Sequence, residues 1–192
     1  MSLAAHNSAR QTIPVAYPLD EFYARSGTPL PPLKQIDAEE VPEPYKTLLV
    51  HQNDMTSTLE TFHKGVLHLR VLGRERRQDE YYREVVLHLE SSEKAVEFGA
   101  IKINLDRFNA AARREILAER WPLGHILKDR AMLYSSQPKA FLQIASDRLI
   151  NSVLNLSGVH LLYGRRNTLV DNRGRVLAEI VEILPPTKPN DD

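Results

Sequence analysis

The sequence predicts an α+β domain: a single antiparallel sheet of about six strands with helices on one face. Three observations predict it. Runs with the two-residue period of strands outnumber the stretches with helical spacing, and turn-forming segments join them into hairpins. The third observation is the tetrad Asp171-Asn172-Arg173-Gly174, strong turn chemistry set between two strand-like runs, 161–170 and 175–184.

The elements follow in chain order. Residues 1–27 read as an N-terminal leader, partly disordered and weakest over 1–13. Prolines at 29, 31, 32, 42 and 44 predict an extended, semi-rigid arm wrapping the body. Pro44 is placed to open a short helix through Leu48-Leu49-Val50, and Asp54 to cap a helix over 55–63. Residues 66–72 and 81–89 form a predicted hairpin, with 73–80 as a charged loop. A third strand covers 95–105. Asn104 or Asp106 can then cap a helix whose apolar positions Phe108, Ala112 and Ile116 recur every four residues. Pro122 starts a short helix over 123–128. A strand over 139–144, a helix over 146–154 and the terminal hairpin complete the single domain, 28–186. Residues 187–192 read as a frayed tail.

Composition narrows the function classes. Of 192 residues, 42% are hydrophobic and 26% charged, which suits one globular domain with a substantial core. Lys+Arg and Asp+Glu are equal at 25 each, which argues against a nucleic-acid partner held by net positive charge. The chain has no cysteine, so disulfides and thiolate metal sites are excluded. No apolar run approaches the ~20 residues of a membrane span, and the N-terminus lacks a signal-peptide core. A cytoplasmic protein with no membrane partner is expected. The histidines have no metal-ligand spacing, and no dinucleotide, Walker or nucleophile-elbow motif occurs, so neither metal nor cofactor is expected.

The informative residues are charges on apolar strand faces. In Tyr81-Tyr82-Arg83-Glu84-Val85-Val86-Leu87-His88-Leu89, alternation puts Arg83 with Tyr81, Val85, Leu87 and Leu89. The other face, with Tyr82, Glu84, Val86 and His88, has the look of a solvated side. In the last strand Glu182 shares a face with Val176, Ala178, Ile180 and Leu184. Glu179, on the opposite face with Leu177, Val181 and Ile183, is nearly as well placed. A buried arginine needs an anion, and a buried carboxylate needs a partner or a task. Arg83 and Glu182 therefore either pair structurally or line a pocket in which the arginine holds a ligand carboxylate. Of the adjacent Arg165 and Arg166, alternation sends one to each face.

These residues resemble the chorismate lyase family (chorismate–pyruvate lyases, the 4-hydroxybenzoate synthases), over roughly 48–186. Four anchors occur in the family's order: Leu48-Leu49-Val50-His51-Gln52-Asn53-Asp54-Met55-Thr56, Tyr82-Arg83-Glu84-Val85-Val86-Leu87, Trp121-Pro122-Leu123-Gly124-His125, and Tyr163-Gly164-Arg165-Arg166-Asn167 with Val181-Glu182-Ile183-Leu184-Pro185. The stretch 146–159 is an extra segment. The resemblance implies a chorismate lyase-like sheet enclosing a pocket for a small aromatic or cyclohexadienyl carboxylate. It implies Arg83 as the arginine binding the carboxylate, with Leu123 contributing its backbone N–H. Glu182 is implied at the ligand's far end, near a ring hydroxyl, and Met55 as a pocket wall. It implies elimination of pyruvate from chorismate, without cofactor, or non-catalytic binding of an aromatic acid, as in effector domains of this fold. Only Glu182, not Glu179, keeps the family's glutamate–aliphatic–proline ending.

Overall fold

Seven strands and six α-helices make up the computed structural model, which describes residues 13–187. The strands are β1 (Leu33–Ile36), β2 (Leu67–Arg77), β3 (Glu80–Leu89), β4 (Ala95–Asn104), β5 (Tyr134–Ala145), β6 (Leu161–Asp171) and β7 (Val176–Leu184). The helices are α1 (Leu19–Ser26), α2 (Tyr45–Leu49), α3 (Met55–His63), α4 (Ala110–Ala118), α5 (Leu123–Asp129) and α6 (Arg148–Leu154). All strands join one antiparallel sheet in the order β1-β5-β6-β7-β4-β3-β2. Residues 1–12 of the expected leader and 188–192 of the expected tail lie outside the described residues.

The seventh strand comes from the proline-rich arm. Between its prolines, Leu33-Lys34-Gln35-Ile36 has no residue lacking a backbone N–H, and the segment pairs along the edge of β5, from Leu33 opposite Ile144 to Ile36 opposite Phe141. The expected charged loop at 73–80 is instead the outer half of a long hairpin. β2 runs to Arg77 and turns through Gln78-Asp79, with Gln78 in the left-handed region at φ 55°. Ion pairs of Arg77 with Glu21 and Glu75 let this charged run lie in a strand.

Helices cover both faces of the sheet rather than one. On one face α1 and α6 pack Leu19, Phe22, Tyr23, Ile150 and Leu154 against Tyr82, Phe98, Ala100, Val181 and Ile183. The side of β3 expected to be solvated is thereby buried: Tyr82, Glu84, Val86 and His88 lie beneath this layer or at its margin. Alternation misleads there because it does not show that a helical layer covers this face, and a tyrosine ring can pack while its polar tip finds a partner. Tyr82 Oη, for example, donates to Glu80 Oε2 at 3.0 Å. The helix of the expected leader, α1, is therefore part of the domain, each of its buried apolar side chains contributing about 2 kcal/mol. The extra 146–159 segment supplies α6. Asp147 caps it, accepting from Ile150 N at 2.8 Å, and takes a 2.8 Å bond from Tyr23 Oη that ties α1 to α6.

The opposite face carries α2 to α5, and their caps follow the sequence closely. Asp54 accepts from Ser57 N at 2.8 Å to start α3. The cap of α4 is Asn109, not Asn104 or Asp106, because a 3-10 turn over Leu105–Arg107 intervenes. α5 seats on the start of α3 because residue 124 is glycine: a Cβ there would lie 2.8 Å from Thr56 Oγ1 and 2.9 Å from Asp54 Oδ1. This close seating brings α3 and α5 together over the sheet, and the space beneath them is the site.

Candidate ligand pocket

A cavity of about 60 Å³ lies between the sheet and these helices. β3 contributes Arg83, Val85 and Leu87; β4 contributes Glu97 and Ile101; β6 contributes Asn167 and Leu169; β7 contributes Ile180 and Glu182; Met55 and Leu123 come from α3 and α5. All four residues singled out by the resemblance, Met55, Arg83, Leu123 and Glu182, line this one space. Register explains the arrangement. Arg83 faces Ile101, Val85 faces Gly99, and Gly99 faces Glu182, so Arg83 and Glu182 share a sheet face two strands apart. Glu179 lies on the other face, where it accepts from Thr168 Oγ1 at 2.8 Å and pairs with Arg166 at 3.7 Å. The two carboxylates that periodicity left nearly tied are thus separated by the sheet itself.

The partner of Glu182 is Arg165, not Arg83. Arg165 Nε donates to Glu182 Oε2 at 2.5 Å, directly opposite it across β6 and β7. The rest of the guanidinium, 0% exposed, reaches the loop between α2 and α3. Its Nη1 donates to the carbonyls of Leu49 (3.2 Å) and His51 (3.1 Å), and Nη2 to that of Asn53 (3.3 Å). One arginine therefore satisfies the pocket carboxylate and fixes the segment leading into Met55. Burial, and after it the charge of Arg165, hold the His51 imidazole below its ordinary pKa. The Gly-Arg-Arg motif now has a physical account. Arg165 and Arg166 serve opposite faces, and at Gly164 a Cβ would lie 2.3 Å from the carbonyl oxygen of Glu182. Gly99, on the other flank of β7, is equally constrained, its Cβ 2.1 Å from the carbonyl oxygen of Val181. Two glycines let β7 approach both neighbours closely where Glu182 projects.

Arg83 differs from Arg165. It is 2% exposed, and its Nε and Nη1 have no hydrogen-bond partner among the described residues. Burial pushes its pKa down to about 10, with Tyr81 and Glu119 opposing the effect, so it remains a cation at neutral pH. Glu119 is itself bonded to Tyr81 and Arg74. A buried guanidinium with open donors at a cavity wall has the chemistry to accept an anion.

Sequence reasoning missed Glu97. It lines the cavity, is buried, and its Oε2 has no hydrogen-bond partner among the described residues. Burial, and then the neighbouring Glu182, push its carboxyl well above the usual range, with Arg165 acting the other way. The signal was available: in Ala95-Val96-Glu97-Phe98-Gly99-Ala100-Ile101, alternation puts Glu97 on the apolar face with Ile101, as it puts Glu182 among aliphatics. The cavity is therefore polar at two ends and apolar between them. Arg83 stands at one end, and Glu97, Glu182 and Arg165 gather at the other.

No family model matches the chain, and no curated protein matches it. Solved structures do. PhnF from Mycobacterium smegmatis aligns with a TM-score of 0.54 at 9% identity, over 71% of this chain and 65% of that one. The effector domain of PhnF alone aligns at 0.51 and 9% identity, over 68% of this chain and 87% of the domain. The gene product SA0254 from Staphylococcus aureus aligns at 0.50 and 11% identity, over 64% and 89%. At such identities the likeness is one of fold. The chain has a chorismate lyase-like α+β fold, with a single antiparallel sheet, that is shared with the effector domain of PhnF. Among the described residues no helix is long and apolar enough to cross a membrane.

Proposed function

We propose that this protein binds a small aromatic monocarboxylate in the cavity, with Arg83 as the carboxylate clamp. The observation that carries this reading is Arg83 itself: a fully desolvated guanidinium with open Nε and Nη1 donors at the wall of a small, mainly apolar cavity. Low polarity around the guanidinium strengthens a charge-assisted contact. The apolar walls Val85, Leu87, Ile101 and Ile180 suit an unsaturated ring. Leu123 would add its backbone N–H to the carboxylate, and Met55 would close over the ring. The likeness in fold to the effector domain of PhnF supports binding without chemistry. The test is thermal stabilisation by 4-hydroxybenzoate. At 100 times the dissociation constant, binding to the folded state adds about 2.7 kcal/mol. For a chain of this length that is a melting shift of roughly 5–10 °C. Absence of any shift with aromatic monocarboxylates would overturn the reading.

A second reading, elimination of pyruvate from chorismate to give 4-hydroxybenzoate, is favoured by the convergence of Met55, Arg83, Leu123 and Glu182 on one cavity. Arg83 would fix the ring carboxylate, and loss of the enolpyruvyl group would aromatise the ring, leaving the protein to supply positioning. Folded protein incubated with chorismate would then release pyruvate and 4-hydroxybenzoate above the uncatalysed rate. No excess release leaves the binding reading standing alone.

A further inference from the structure

Glu97 has no role in the reading above, yet it is the second buried group with an open polar atom on the cavity wall. Its position is fixed by register. It faces Leu87 across β3 and β4, four residues along the strand from Arg83, or about 13 Å at the usual rise. Gly99, two residues further along β4 on the same face, pairs with Glu182. Glu97 and Glu182 are therefore diagonal neighbours, about 7–8 Å apart at Cα. One carboxylate of this pair, Glu182, is bonded to Arg165, while Glu97 Oε2 is bonded to nothing among the described residues.

We propose, resting on the reading of the cavity as an aromatic-acid site, that Glu97 is a further specificity-determining residue. It supplies a hydrogen-bond donor beside the Glu182 acceptor, and so selects a ligand with a hydroxyl at the end remote from its carboxylate. A protonated carboxyl donates one hydrogen bond, and the Glu182 carboxylate only accepts. A hydroxyl does both, so it satisfies the two groups together. An ammonium has no lone pair for Glu97, a carboxylate places a second anion beside Glu182, and a bare C–H satisfies neither. The surroundings keep the proton on Glu97: burial and the Glu182 charge favour the neutral form, and Arg165, the nearest cation, is already engaged by Glu182. The other charged groups on the cavity wall are Arg83 and Asp54. Arg83 stands at the far end, and the Asp54 carboxylate accepts from Ser57 N.

The test is a calorimetric comparison of benzoate and 4-hydroxybenzoate binding to wild type, Glu97→Gln and Glu97→Leu at neutral pH, with circular dichroism to confirm folding. Wild type should prefer 4-hydroxybenzoate by about tenfold, the worth of one buried hydrogen bond. Glu97→Gln keeps a donor and should keep most of that preference. Glu97→Leu should lose the preference for 4-hydroxybenzoate over benzoate. If the preference survives in Glu97→Leu, Glu182 carries it alone and the assignment is overturned. If wild type binds neither acid, the aromatic-acid reading fails, and this assignment with it. If Glu97→Leu does not fold, Glu97→Gln decides through pH. Wild-type affinity for 4-hydroxybenzoate should fall as pH rises and Glu97 ionises, and Glu97→Gln should lose that fall. Identical profiles overturn the proposal.

Discussion

Replacing Arg83 by methionine should make the unliganded protein more stable and abolish its response to ligand. Methionine keeps most of the length of the side chain and removes the charge. The magnitude follows from the desolvation already visible. Burial holds the guanidinium at a pKa of about 10 against an ordinary 12.5. At about 1.4 kcal/mol per tenfold, keeping the charged form buried costs about 3 kcal/mol. The sign is the same at every working pH, because below about 10 the group is charged in both folded and unfolded chains and the full cost is present. Imperfect repacking around a thioether returns some of this, leaving a net gain of about 2 kcal/mol. For a domain of this size that is a rise of roughly 4–8 °C in melting temperature. Differential scanning calorimetry of wild type and Arg83→Met, each with and without 4-hydroxybenzoate, reads both halves at once. A variant that melts several degrees lower would show that Arg83 is held by structural partners, and would refute the clamp. A variant that still responds to ligand would place the anion elsewhere.

Other outcomes follow from the same geometry. Arg165→Met should destabilise by about 3–5 kcal/mol in urea melts, because it strands the Glu182 carboxylate and frees the carbonyls of Leu49, His51 and Asn53. The contrast in sign with Arg83→Met separates a structural from a functional buried arginine. Gly164→Ala sets a Cβ 2.3 Å from the Glu182 carbonyl oxygen, backbone against backbone, and should cost about 2–3 kcal/mol by the same measurement. Glu97→Gln should change the pH dependence of stability. The folded wild type keeps a proton that the unfolded chain releases above about 4.5, so its stability falls as pH rises until the folded group ionises. Urea midpoints followed upward from pH 5 should show the variant gaining on wild type by up to about 1.4 kcal/mol per pH unit across that window. Parallel curves would mean Glu97 is ionised in the folded chain.

Much of this architecture was legible in the sequence where a local rule acts alone. Asp54 caps α3, Pro44 and Pro122 precede short helices, and Asp171-Asn172-Arg173-Gly174 turns β6 into β7, with Gly174 at φ 75°. Two-residue alternation placed Arg83 and Glu182 on inward faces because a strand leaves a side chain no third choice. The same rule failed at Tyr82, Glu84 and His88. It says which residues share a face but not whether a helix from thirty or more residues away will cover it, and α1 and α6 do. It could not choose between Glu179 and Glu182, because each face of β7 is apolar; the choice lies in the register, which sets Arg165 opposite Glu182 and Thr168 opposite Glu179. Glu97 was within reach of the rule and escaped because nothing in the motif pattern pointed to it. The pairing of Glu182 with Arg165 rather than Arg83 was beyond it, being a matter of which strands become neighbours.

The most direct measurement is a crystal structure of the protein with 4-hydroxybenzoate. A carboxylate oxygen should lie about 3 Å from one of the open Arg83 donors, Nε or Nη1, with the hydroxyl between Glu97 and Glu182. A ligand seated with its carboxylate toward Arg165, or outside the cavity beneath α3 and α5, would contradict the assignment of Arg83 as the anion clamp.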